Sequence, residues 1–427
     1  MARRMFALVL GLALAAALAT AAMAQVTITF RYAFPDGDVI RDAMVDFEKK
    51  NPGIKVNLQR SSFAEARDQL VREAAVGGGP DVAHSAFVWV RDLGIAGALM
   101  PLNDVVKGKG LGQGWDDFVA TDLTYDDKGN FYGVPFATDT WGMVYNRQVL
   151  AAAGIAKTPT TWEELRNASR QIKQRTGKTG FGFPGGSGGN NSIWFLCNFN
   201  WWSDGGTLVD QDASGKYVMG ITPEKIAEVF RYFDSYFKEG HNPKGNMAIQ
   251  QPFEPQVLEP MARGEQGIAI MPLFTYITFV NDWIKRNPNQ ELPFYSAPTP
   301  HGIGKPTTHL GGQSLGVNAN TKQPDAAWKL VQYLTSWEFF QTHYKNYFPA
   351  QKSLLAKMSF PPWLKGFQEQ FTFARSWGPY SRGPAVIGAM WNQTARSFGS
   401  AAIGEKSFEV AAKELYDFVA EQLKKQK

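Results

Sequence analysis

Residues 133–147 read GVPFATDTWGMVYNR, and few backbones can accept that run. Pro135 removes a backbone donor, so the run does not fit a helix interior. Phe136, Trp141, Met143, Val144 and Tyr145 are strand formers or core fillers. One carboxylate, Asp139, stands alone among them. Burying it is costly unless something pairs with it. Either Asp139 is solvated at a strand edge, or it meets a ligand where an extended chain passes from one lobe to another.

The rest of the chain supplies two lobes' worth of elements. It has 427 residues, 44% of them hydrophobic, enough for one large bilobal unit. Val26, Ile28 and Phe30 alternate with Thr27 and Thr29 as in a half-buried strand. Val39, Ile40, Ala43, Met44 and Phe47 follow at helical spacing and stop at Asn51-Pro52-Gly53. Ile54, Val56 and Leu58 predict a second strand, Leu70 to Ala75 a second helix, and the stretch after Pro80-Asp81-Val82 a third strand. That alternation implies a parallel α/β sheet. Ligands of such sheets bind beyond the carboxyl ends of the strands, where Asp36, Arg60 and Ser85 fall. Thr161-Trp162-Glu163-Glu164 is a capping box opening a further helix, and Thr222-Pro223 opens another.

Residues 1–24 read as a secretory signal: Arg3 and Arg4, an apolar run, then Ala22-Met23-Ala24 before Gln25. Removing those two arginines takes the formal charge from +5 to +3, with no basic block, so nucleic acid is not an expected partner. Cys197 is the single cysteine, so there is no internal disulfide and no thiol at the cleavage point for a lipid anchor. A periplasmic protein of a Gram-negative bacterium is the expectation.

Residues 132–165, YGVPFATDTWGMVYNRQVLAAAGIAKTPTTWEEL, together with GPDV, GEQGIAIM and LGGQSLGVN, resemble the extracellular solute-binding proteins of ABC sugar importers, the maltose-binding-protein-like group. The resemblance implies two α/β lobes joined by three crossings, with a carbohydrate held in the cleft. It implies residues 25–137 and 299–350 in the first lobe, 141–297 and 352–427 in the second, and crossings near 137–141, 297–300 and 349–352. It further implies a monomer that serves ABC permease subunits, with no cofactor, no metal and no catalytic residue.

Candidate contacts divide by chemistry. Phe195, Trp201, Trp202, Phe274, Tyr276 and Trp391 offer ring faces to sugar C–H faces, against the alternative of core packing. Asp36, Arg60, Asp139 and Gln313, beside the Gly311-Gly312 turn, offer hydrogen bonds to hydroxyls. Arg382 reaches the cleft or the surface. The sequence departs from the maltose-binding pattern where Ser85 replaces a sugar-stacking Trp and Val88 a sugar-binding carboxylate. An anionic ligand, a glycerophosphodiester or sugar acid on Arg60 and Arg382, is the alternative. A secreted carbohydrate-cleaving enzyme is a third reading. The formal G-x-S-x-G at Gly185–Gly189 lacks the strand-to-helix context of a nucleophile elbow, and the five His show no metal-ligand spacing.

Overall fold

A computed structural model describes residues 25–33, 37–106, 111, 114–187, 191–383 and 387–425. The signal-like residues 1–24, Asp36 and part of the Gly185–Asn191 loop lie outside that set. The chain forms two α/β lobes, each built on its own sheet.

The first sheet begins with β1 (Val26–Tyr32), β2 (Ile54–Arg60) and β3 (Val82–Ala86). β1 lies between the other two, parallel to both, as strand–helix–strand order requires. The helix Gly37–Lys50 buries Ile40, Ala43 and Phe47, the residues whose spacing predicts it. β4 (Val134–Asp139) belongs to the same sheet but pairs with none of these three strands. β5 (Trp141–Asn146) and β6 (Thr179–Phe181) belong to the second lobe, as does the hairpin of β7 (Thr207–Gln211) and β8 (Tyr217–Gly220). β9 (Gln266–Pro272) and β10 (Phe294–Ala297) follow. The second sheet runs β10-β5-β9-β6.

The chain then returns through β11 (Thr308–His309), β12 (Gly311–Val317) and β13 (Phe348–Pro349). β12 inserts between β3 and β4, antiparallel to each, giving the order β13-β4-β12-β3-β1-β2. β14 (Ala374–Arg375) pairs with β11.

One residue, Thr140, separates β4 in the first sheet from β5 in the second. The apolar run therefore serves two cores at once: β4 is buried along its length, and β5 nearly so. The chain after β13 stays with the first lobe for longer than 349–352 suggests. Ser353 still donates from its backbone N–H to Asp117 at 2.8 Å. The second sheet is met at Trp363, whose carbonyl accepts from the Ser296 hydroxyl at 2.6 Å.

The capping box is formed: the Glu164 N–H donates to Thr161 Oγ1 at 3.1 Å and starts the helix Trp162–Thr176. The terminal helix Phe408–Leu423 buries Leu415 and Leu423, but Val410 stays half exposed because it lies on the outer face.

Candidate functional site

Asp139 ends β4 and is carried to the N-terminus of the helix Leu273–Arg286, where the Phe274 N–H donates to its Oδ1 at 3.4 Å. That helix starts after Pro272 with no capping side chain of its own, so a carboxyl from another strand stands at its exposed N–H groups. A helix N-terminus favours a carboxylate. Burial opposes it and dominates: Asp139 is 8% exposed, and desolvation pushes its pKa up to about 8.

Asp139 lies in the wall of a cavity of about 60 Å³ at the junction of the lobes. The first lobe supplies Phe63, Phe87, Val88, Gly312 and Gln313. The second supplies Phe195, Phe274, Trp377 and Trp391, and His309 comes from the return strand between them. Phe195 rides on the helix Ser192–Ser203, which is buried all round. Its ring stacks on Trp141, with centroids 4.3 Å apart and planes 21° from parallel. Phe274 is half-buried. Trp391 is nearly enclosed, and its indole N–H has no partner among the described residues. Gly312 holds φ near 140°, and a Cβ there would sit 2.2 Å from the Ala137 carbonyl oxygen. Gln313 packs against His84, whose pKa burial lowers to about 3.

Other residues singled out from sequence lie elsewhere. Trp201 is fully buried and Tyr276 is sealed between Trp363 and Phe367, so their rings pack the core and do not line the cavity. Trp202 donates to Thr207 Oγ1 at 3.2 Å, and the Arg375 guanidinium lies 5.1 Å from its ring. Ser85 is buried in β3 behind the cavity wall, and Arg60 is exposed at the end of β2. Asp36 is outside the described residues.

Arg382 has a different place. It sits on a segment anchored to the second lobe, since the neighbouring Tyr380 hydroxyl donates to Asn198 at 2.7 Å. Its Nη1 donates to the Tyr125 hydroxyl of the first lobe at 2.9 Å, with the guanidinium over that ring and Asp127 at 3.7 Å. Ser376 donates to Asp122 at 2.5 Å beside it. These contacts tie the lobes together.

Phe63, Ala86, Phe87, His309 and Trp377 line the cavity without having been anticipated as contacts. A detectable signal existed for His309. It precedes Gly311-Gly312 by two residues, and Gly311 leaves room for its ring.

Residues 24–338 match the family described as bacterial extracellular solute-binding protein. The chain belongs to that family. This solute-binding protein is 24% identical to a Brucella abortus protein described as a binding protein, over 77% of this chain and 76% of that one. It is 25% identical to the diacetylchitobiose binding protein of Streptomyces coelicolor, over 69% of this chain and 65% of that one. Among solved structures, the ABC transporter solute-binding protein of Thermotoga lettingae bound with α-D-tagatose shares its fold. The TM-score is 0.77 at 23% identity, covering 93% of this solute-binding protein and all of that chain.

Proposed function

We propose that the chain binds a neutral carbohydrate between its lobes and delivers it to the permease subunits of an ABC importer. The observation that carries this reading is the cavity itself. Both lobes build it, its walls are aromatic, and a buried carboxyl stands in it. Aromatic faces suit sugar C–H faces, and Asp139 either donates to or accepts from hydroxyls according to its protonation. The names of the relatives point the same way.

The mechanism is hinge closure. Ligand pockets ordinarily measure about 300–1,000 Å³, far above the cavity's roughly 60 Å³. The lobes therefore part to admit ligand and close on it, and ligand shifts the population toward the closed form. No bond is made or broken in the cleft.

The lobes we assign follow the expected 25–137 with 299–350 and 141–297 with the C-terminal segment, except that both returns come later: His301 and Gly304 still bond to Thr160 and Ser203 of the second lobe, and Ser353 still bonds to Asp117 of the first. The chain acts as a periplasmic monomer, released by cleavage after Ala24. Among the described residues no helix is long and apolar enough to cross a membrane. The anionic alternative gains no support, because no Lys or Arg lines the cavity among the described residues. Arg60 and Arg382 lie outside it.

Isothermal titration against neutral mono- and disaccharides, sugar acids and glycerophosphodiesters tests this reading. One-to-one binding of a neutral sugar is expected. Asp139→Ala should weaken it about 5- to 100-fold, the cost of leaving a buried hydroxyl of the ligand unpaired, and Phe274→Ala about 2- to 10-fold, the worth of a stacked ring. Binding restricted to anions, or turnover of a sugar, would overturn it.

The Arg382 contacts yield a second prediction. Arg382→Ala removes a cation–π contact and a hydrogen bond that hold the closed form. Each is worth about 0.5–1.5 kcal/mol. The ligand-free protein should then show a larger radius of gyration by X-ray scattering, and bind sugar about three- to tenfold more weakly. An unchanged scattering curve would remove the latch role.

A further inference from the structure

We propose that His309 is a specificity-determining donor of the cleft: Trp377 fixes its ring in the Nε2-protonated tautomer, and that N–H is offered to an oxygen of the bound ligand. This rests on the binding reading above.

An indole N–H can only donate. Trp377 Nε1 donates to His309 Nδ1 at 2.9 Å, so Nδ1 carries a lone pair and the proton sits on Nε2. A ring turned over by a half-rotation would put a carbon against that indole N–H. Trp377 is itself immobilised, fully buried, stacked on Trp194 with centroids 5.5 Å apart and edge-on to Tyr380 at 5.2 Å. The tautomer is therefore set by packing.

His309 is 6% exposed, and its Nε2 has no hydrogen-bond partner among the described residues. Such groups are uncommon in folded chains and call for a reason. The ring lines the cavity, above Gly311. A Cβ on Gly311 would fall 2.2 Å from the His309 Cε1, so glycine is what lets the imidazole lie there. Gly311 pairs in register with Asp139, which brings the imidazole and the carboxyl to the same stretch of wall. Burial keeps the imidazole neutral, with its pKa lowered to about 3. The donor then persists at every pH where Asp139, the titratable group that shares the wall, changes its own state.

A site with a buried donor discriminates strongly against ligands lacking the matching acceptor, because the donor stays unpaired. His309 thereby selects for an oxygen at one position of the ligand, whereas the aromatic walls are tolerant.

The test uses the full protein labelled with ¹⁵N-histidine, probed with D-tagatose, maltose, cellobiose and N,N′-diacetylchitobiose. The expected His309 nitrogen spectrum is that of a single Nε2-protonated tautomer from pH 6 to 8, with its N–H resonance shifting when a sugar binds. Trp377→Phe should mix the tautomers. His309→Phe should weaken the binding sugar at least tenfold, and His309→Gln, which returns an amide N–H, should recover part of that loss. An Nδ1-protonated ring overturns the proposal with or without ligand. So does a resonance unmoved by a sugar that binds, or a His309→Phe protein of wild-type affinity. Should His309→Phe fail to fold, the wild-type spectrum and Trp377→Phe decide it. If none of the four sugars binds, the carbohydrate reading and the ligand half of this proposal fall together, while the spectrum still settles the tautomer.

Discussion

Gly312→Ala is expected to destabilise the protein by about 2–6 kcal/mol, read as a fall in the urea midpoint. Two separate penalties add. The backbone at φ near 140° is a region that residues with a Cβ scarcely enter, at about 1–3 kcal/mol. The added carbon would also press on the Ala137 carbonyl oxygen at 2.2 Å and the Phe87 ring at 2.8 Å, overpacking that costs about 1–3 kcal/mol more. Gly404→Ala separates the two effects. Its φ is 84° with nothing within 4 Å, so it should lose only the torsional part, about 1–2 kcal/mol. Equal losses at the two sites would show that β12 yields easily. Because Phe87 lines the cavity, any folded Gly312→Ala protein should also bind ligand poorly.

The second large effect concerns pH. Asp139 has its pKa raised from 3.8 to about 8 by burial. Between those values the folded chain holds a proton that the unfolded chain has released. Stability therefore falls as pH rises through that window, by up to about 1.4 kcal/mol per unit. The total has an upper bound of roughly 6 kcal/mol, and the real figure is smaller because parting the lobes hydrates the carboxylate without unfolding either one. Asp139→Asn removes the titration while keeping the shape. Urea unfolding at pH 5, 6.5 and 8 should show the variant gaining on the wild type with each step. Parallel curves would mean that Asp139 is hydrated throughout.

Much of the scaffold was legible because its signals are local. Alternation along Val26–Phe30, helical spacing from Val39 to Phe47, and the Thr161–Glu164 box each act over a few residues. The crossing at Thr140 was legible because an apolar run holding one acid suits little else than a strand passing between two cores. The site was harder. In the helix Ser192–Ser203 every residue is buried, so no polar face tells that Phe195 looks into the cavity while Trp201 looks into the core. Tyr276 follows Phe274 by half a helical turn and is rotated away from the cleft. His309 and Trp377 act as a pair across 68 residues, a separation no short-range pattern reports. The chain leaves the first lobe later than its local sequence suggests because Ser353 is held by Asp117, a partner 236 residues away.

The place of β12 also governs how the molecule can be made. β4 touches β3 only through β12, and its other neighbour is β13. On a ribosome, β4 would emerge more than 170 residues ahead of the first strand able to pair with it. The N-terminal lobe therefore cannot mature vectorially ahead of its partner; its sheet waits for nearly the whole polypeptide. Contacts this distant slow folding and leave strand edges open meanwhile. The same threading means that translation halted before residue 311 yields a lobe with β4 unpaired, so the two lobes were never interchangeable modules joined by a linker.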